Sequence, residues 1–110
     1  MTGIPIGRLN KRIEIERPIH ESDGAGGLTT TGWLGVASVN ARIAPVGLRE
    51  QIVSGRLDGV ATHRITLRQG TEIEAGMRIT FGERVFQVLT VQDPDESGRY
   101  LLAVCEEEGL

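Results

Sequence analysis

Two histidines, one cysteine and a few closely spaced carboxylates are the residues whose types and spacing could do chemistry in this sequence. His20 and His63 lie far apart, and neither has a second histidine or a cysteine at the spacing of a metal-ligand pair. They are expected to be a turn histidine and a strand-edge histidine. Glu14 and Glu16 lie two apart, as do Glu72 and Glu74 if that segment is extended, and paired carboxylates can share acid–base work. Alternation with isoleucines fits them better to a solvated or subunit-facing strand edge. Asp93-Pro94-Asp95-Glu96-Ser97-Gly98 sets out oxygens and then a glycine as in the first half of a calcium loop. The position that would close the loop is Val104 rather than a bidentate glutamate, and the flanks read as strands, so a hairpin turn is expected. Gly24-Ala25-Gly26-Gly27 has the backbone freedom to cradle phosphate, but no Lys-Ser/Thr pair follows it. Cys105 has nothing nearby in sequence that would lower its pKa and reads as a small buried apolar residue. The expectation is a protein that is not an enzyme and has no catalytic residue, no metal and no cofactor.

The elements that carry these residues follow from composition and pattern. The chain has 110 residues, 39% of them hydrophobic and 25% charged, which is enough for one soluble domain. No apolar run approaches the ~20 residues of a membrane span. No signal segment is apparent and one cysteine cannot form an internal disulfide, so synthesis in a reducing cytosol is expected. The net charge of −3 disfavours a protein that holds nucleic acid by bulk attraction. The cations are eleven arginines and one lysine. Arginine's planar fork suits carboxylates as well as phosphates, and ion pairs to another subunit are the expected use. Val, Ile and Thr total 28 against seven alanines, a bias toward pleated surfaces. Two Phe, one Trp and one Tyr are few anchors for a core, so neighbours in an assembly are expected to supply part of the stability.

Along the chain, residues 1–10 read as an extended N-terminal arm and 11–110 as one domain. Ile13 and Ile15 alternate with Arg12, Glu14 and Glu16 in a half-buried strand that Pro18 should stop. An Asp23-Gly24 turn leads to a second strand over 29–44, long enough to need a bulge near Gly35. Further strands are expected over 61–69 (Ile65 and Leu67 inward, Arg64, Thr66 and Arg68 outward), 77–81, 84–92 and 99–106, followed by a short acidic tail, Glu106-Glu107-Glu108. The fold class expected is all-β: a small antiparallel β-barrel or sandwich of five to six strands with one long flexible loop, residues 47–60. That loop exceeds an ordinary hairpin connection. It carries Leu48, Ile52, Val53 and Leu57, which a lone exposed loop should avoid. Its charges, Arg49, Glu50, Arg56 and Asp58, cancel, and Gln51 stands among them. Gly47, Gly55 and Gly59 would act as hinges.

In its ordered features the chain resembles the phage head–tail joining family, the small β-barrel head-closure or stopper proteins of tailed phages and gene transfer agent particles. The resemblance runs through Lys11-Arg12-Ile13-Glu14-Ile15, Asp23-Gly24, Trp33, Val39-Asn40-Ala41-Arg42-Ile43-Ala44-Pro45, Gly47 with Glu50, Thr62-His63-Arg64-Ile65-Thr66-Leu67-Arg68, Met77-Arg78-Ile79, Arg84-Val85-Phe86-Gln87-Val88 and the glutamates at the end. Asn40 departs from the bulky residue often found there. The resemblance implies a homo-oligomeric ring, six-fold rather than twelve-fold, between an adaptor ring on the portal side and a tail terminator or tail-completion protein. It implies residence in the virion at the head–tail junction, without a membrane partner. It also implies that loop 47–60 projects into the channel and gates DNA, which passes without specific binding. The alternatives are an adaptor or tail-completion connector ring, of which adaptors tend to be helical, and an oligonucleotide-binding β-barrel, which would show stacking aromatics on its strands.

Overall fold

The computed structural model describes residues 9–47, 60–94, 96 and 98–109. Loop residues 48–59, and with them the proposed hinges Gly55 and Gly59, lie outside the described residues, as do residues 1–8 of the arm. Six strands make up the described fold: β1 (Lys11–Ser22), β2 (Leu28–Pro45), β3 (His63–Arg68), β4 (Arg78–Phe81), β5 (Arg84–Gln92) and β6 (Tyr100–Glu107). Every pairing is antiparallel, and the order β1-β2-β3-β6-β5-β4 closes on itself as a barrel. Closure removes exposed edges along the paired lengths.

Each strand contributes its inward positions to one core. Ile13 and Ile15, Ala41, Ile65 and Leu67, Ile79, Phe86 and Val88, Ala103 and Cys105 are all buried, and Met77 fills the space just before β4. This is the period-two alternation of a half-buried strand repeated around a closed wall. Phe86 is fully buried; Phe81 is only partly buried, with the Lys11 ammonium 5.9 Å from its ring centre. Thr66 differs from its expected exposure: it lies between Arg42 and Leu102 in register and is buried.

The strands are not all short. β1 runs straight through Pro18, because past Glu16 it has β2 on one side and no strand on the other, the condition a proline needs in a strand. β2 spans 18 residues and has the bulge expected near Gly35: Ile15 faces Ala37 and Glu16 faces Gly35, leaving Val36 as the extra residue. A second irregularity leaves Thr31 extra between Gly32 and Thr30. Beyond the bulge at Val36, β1 and the facing part of β2 pair with nothing else. They form a two-stranded hairpin arm, about six residues or roughly 20 Å long, projecting from the barrel. Its turn is built by Asp23, whose Oδ1 accepts hydrogen bonds from the Ala25 and Gly27 amides at 2.8 and 3.0 Å. Those bonds hold the carboxyl below its usual range. Gly24 and Gly26 have φ of 80° and 88°, which explains the glycine-rich sequence without any phosphate.

The terminal glutamates are not a tail. Glu106 and Glu107 belong to β6, opposite Gln87 and Phe86, and the Glu108 amide donates to the Val85 carbonyl at 2.8 Å. Strand pairing therefore consumes the segment that charge alone marked as free.

Phe86→Ala should lower the unfolding free energy by about 3–5 kcal/mol, since a full aromatic is lost from a closed wall. Leu34→Ser on the exposed arm should change it by less than about 0.5 kcal/mol. Urea unfolding followed by circular dichroism measures both.

Candidate functional site

The long connection between β2 and β3 leaves the barrel at one rim and returns to the same point. Pro45 is paired with His63, the Val46 amide donates to the Thr62 carbonyl at 2.9 Å, and the Thr62 amide donates to the Cys105 carbonyl at 2.8 Å. The two roots of the connection are thus zipped together and tied to β6. Gly47, the one expected hinge among the described residues, is exposed, and a Cβ there would meet nothing within 4 Å. Val60, on the returning root, is half-exposed.

Beneath these roots lies a polar cluster that the sequence did not announce. Arg84 grips Glu107 with two hydrogen bonds, Nε to Oε2 at 2.8 Å and a terminal nitrogen to Oε1 at 3.0 Å. A fork-to-carboxylate bond of this kind is directional as well as attractive. It holds the Glu107 carboxyl below the usual carboxylate range and raises the guanidinium's pKa. The Arg84 guanidinium lies 4.9 Å from the Phe86 ring centre, and His63 meets that ring edge-on at 5.2 Å.

The partners of His63 assign its proton. Arg84 can only donate, and its terminal nitrogen lies 3.3 Å from His63 Nε2, so Nε2 accepts. Nδ1–H then donates to Thr62 Oγ1 at 2.9 Å. The same hydroxyl accepts from the Glu107 amide at 2.7 Å. His63 is therefore a neutral, buried member of a network that joins β3, β5 and β6 under the loop roots. Burial lowers its pKa first; Glu107, 3.7 Å away, pulls the other way, and Arg84 adds to the lowering.

The remaining sequence candidates do not converge. Glu14 accepts from the Ser38 hydroxyl at 3.0 Å, whereas Glu16 pairs with Arg78 at 2.5 Å. Glu72, in the irregular connection between β3 and β4, pairs with Arg17. Arginines 17, 78 and 84 thus pair with carboxylates of their own chain. His20 lines an open cleft of about 490 Å³ between the arm and the β3–β4 connection, together with Trp33, Glu74, Met77 and Gln87. Cys105 is buried, which pushes its thiol up to about 12. Among the described residues no cluster of His, Cys, Asp and Glu could hold a metal ion. Nor do the aromatics form a stacking platform: Phe86 and Tyr100 are buried, and the Arg78 guanidinium covers Trp33 at 4.3 Å. No helix of the described residues is long and apolar enough to cross a membrane.

A family model described as phage head completion protein matches residues 4–108. The chain is similar to the solution structure of protein SF1141 from Shigella flexneri 2a, with 29% identity and a TM-score of 0.72, over 96% of this chain and 98% of that one. Its fold is also similar to that of a chain in the virion of a native gene transfer agent particle, with 22% identity and a TM-score of 0.66, over 90% and 93% of the two chains. None of the curated proteins matches it.

The neutral His63 makes stability depend on pH in a defined direction. Its folded pKa lies below the ordinary 6.5, so below that pH the unfolded chain takes up the proton more readily. Stability is complete above 6.5 and is lost as pH falls through the window beneath it. Thermal unfolding should show the melting temperature falling between pH 7.5 and 5.5, and His63→Gln should flatten that part of the profile.

Proposed function

The chain belongs to the phage head completion protein family, a structural component of the virion at the head–tail junction, and from that premise we propose that it is the stopper of that junction. In this reading identical copies form a ring, six-fold rather than twelve-fold, between a portal-side adaptor ring and a tail terminator or tail-completion protein. Residues 47–60 project into the central channel and close it on packaged DNA, with Leu48, Ile52, Val53 and Leu57 meeting their symmetry copies. Gly47, Gly55 and Gly59 are the hinges. DNA later passes without specific binding, as suits a segment whose charges, Arg49, Glu50, Arg56 and Asp58, cancel.

One observation carries this reading: the segment begins and ends at a single zipped point on the rim. A connection whose roots are held together can change its own path without altering the register of β2 on β3, so opening and closing need not repack the barrel. The His63–Arg84–Glu107 network supports the same reading, because it stiffens the strands from which the segment springs.

Deleting residues 54–59 tests the gate. Particles should still assemble and join heads to tails, but should lose packaged DNA, as measured by nuclease-protected DNA per particle. Full retention of DNA by joined particles carrying the deletion would overturn the gating role.

A further inference from the structure

The outer wall of the barrel has a cationic concavity that nothing above uses. It measures about 260 Å³ and is lined by Arg12, Ser38, Val39, Asn40, Arg68 and Thr71. Arg12 is held outward, Nε donating to Ser38 Oγ at 3.1 Å and a terminal nitrogen to Asn40 Oδ1 at 3.3 Å. Arg42 stands two residues along β2 from Asn40 on the same face. Among the described residues none of Arg12, Arg42 and Arg68 forms an ion pair with a carboxylate, whereas Arg17, Arg78 and Arg84 do. Guanidiniums beside hydroxyls and an amide make a site for an oxyanion, most readily a carboxylate.

The same chain carries the complementary surface. The hairpin arm ends in Glu21 and Asp23, both exposed, and exposes Ile19, Leu28 and Leu34 below them. The arm cannot fold back onto its own concavity. From Arg12 to the turn is about eleven residues of continuous strand, roughly 35 Å, and the ribbon leads away from the barrel. An acidic, partly apolar arm and a distant basic socket on one chain describe a head-to-tail contact between copies, the type that generates rings when the rotation closes.

We propose that the β1–β2 arm of one copy docks on the barrel wall of the next, with the Glu21 carboxylate in the socket formed by Arg12, Arg68 and Thr71. The occupant is a second copy of this chain. The contact gives the proposed ring its subunit interface, and only its closure into a ring rests on the stopper reading.

Cysteines introduced as E21C and R68C test it directly, because native Cys105 is buried and its thiol is kept protonated. Full-length E21C and R68C chains of different tag length, mixed and oxidised, should form a covalent heterodimer, and the double variant a ladder of oligomers. Glu21→Lys should weaken association about tenfold in sedimentation velocity, and adding Arg68→Glu should restore it. Rings or assembled particles without the cross-link, and indifferent to both charge changes, would overturn the arm contact while leaving the stopper reading intact. Cross-linked open chains that never close would uphold the contact and remove the ring. An R12E/R68E variant that assembles as the parent does but loses binding to a labelled DNA duplex would assign the socket to phosphate and overturn the proposal.

Discussion

The barrel depends on a three-residue seam. β1 meets β4 only at Glu14–Thr80, Ile15–Ile79 and Glu16–Arg78, and without that contact the other five pairings make an open sheet with two edges. Arg78 locks the seam from the outside. Its guanidinium bonds Glu16 on β1 and lies on the indole of Trp33 on β2, so one side chain spans three strands. Both members of the ion pair are about three-quarters covered, where a pair is worth more than on an open surface. Ile15 and Ile79 sit directly beneath it, fully buried. The aromatic poverty of the chain is therefore answered locally: its one tryptophan clamps the closure rather than filling the centre.

The seam also decides where the barrel ends and the arm begins. β1 loses its second neighbour right after Glu16, and the bulge at Val36 falls at the same level on β2. Bulges bend the strand and raise its twist, so the ribbon leaves the wall instead of following it round. Arg17 and Glu72 then strap the root of the arm to the β3–β4 connection. The arm is thus a continuation of core strands, and its direction is set by the barrel. The connection between β2 and β3 is the opposite case at its roots, which are closed off by Pro45–His63 pairing.

Strand existence was legible because strict alternation, as at Ile13-Glu14-Ile15 or Arg64-Ile65-Thr66-Leu67, reports burial on one face. The bulge near Gly35 was legible because a strand over 29–44 is too long to stay regular in a small barrel. Proline at 18 misled, because its effect depends on whether a second neighbour is present, which is a tertiary fact. Glu107 misled for a similar reason: three adjacent glutamates look solvated until a strand partner brings Arg84 beside one of them. The His63 network draws on β3, β5 and β6, and no spacing in a single sequence encodes which strand ends will meet. A weak signal was present in Arg84 followed by Phe86, since an arginine two residues before a core aromatic shares its strand face.

In the proposed reading, the contact between copies and the channel segment fall on different parts of one small chain. The arm belongs to β1 and β2 and the basic socket to β1, β2 and the end of β3, whereas the zipped roots join the other end of β2 to the start of β3, beside the His63 network of β3, β5 and β6. The roots of the connection are fixed by the Val46–Thr62 and Thr62–Cys105 hydrogen bonds beside the buried His63 network, whereas the arm leaves from the opposite end of β2. In a ring built on the proposed arm contact, the arm is held at its root by the Glu16–Arg78 seam rather than by the rim, so a change at the rim need not loosen it. A segment inserted instead at the arm's own turn, at 23–27, would couple any change of its path to the proposed contact between copies.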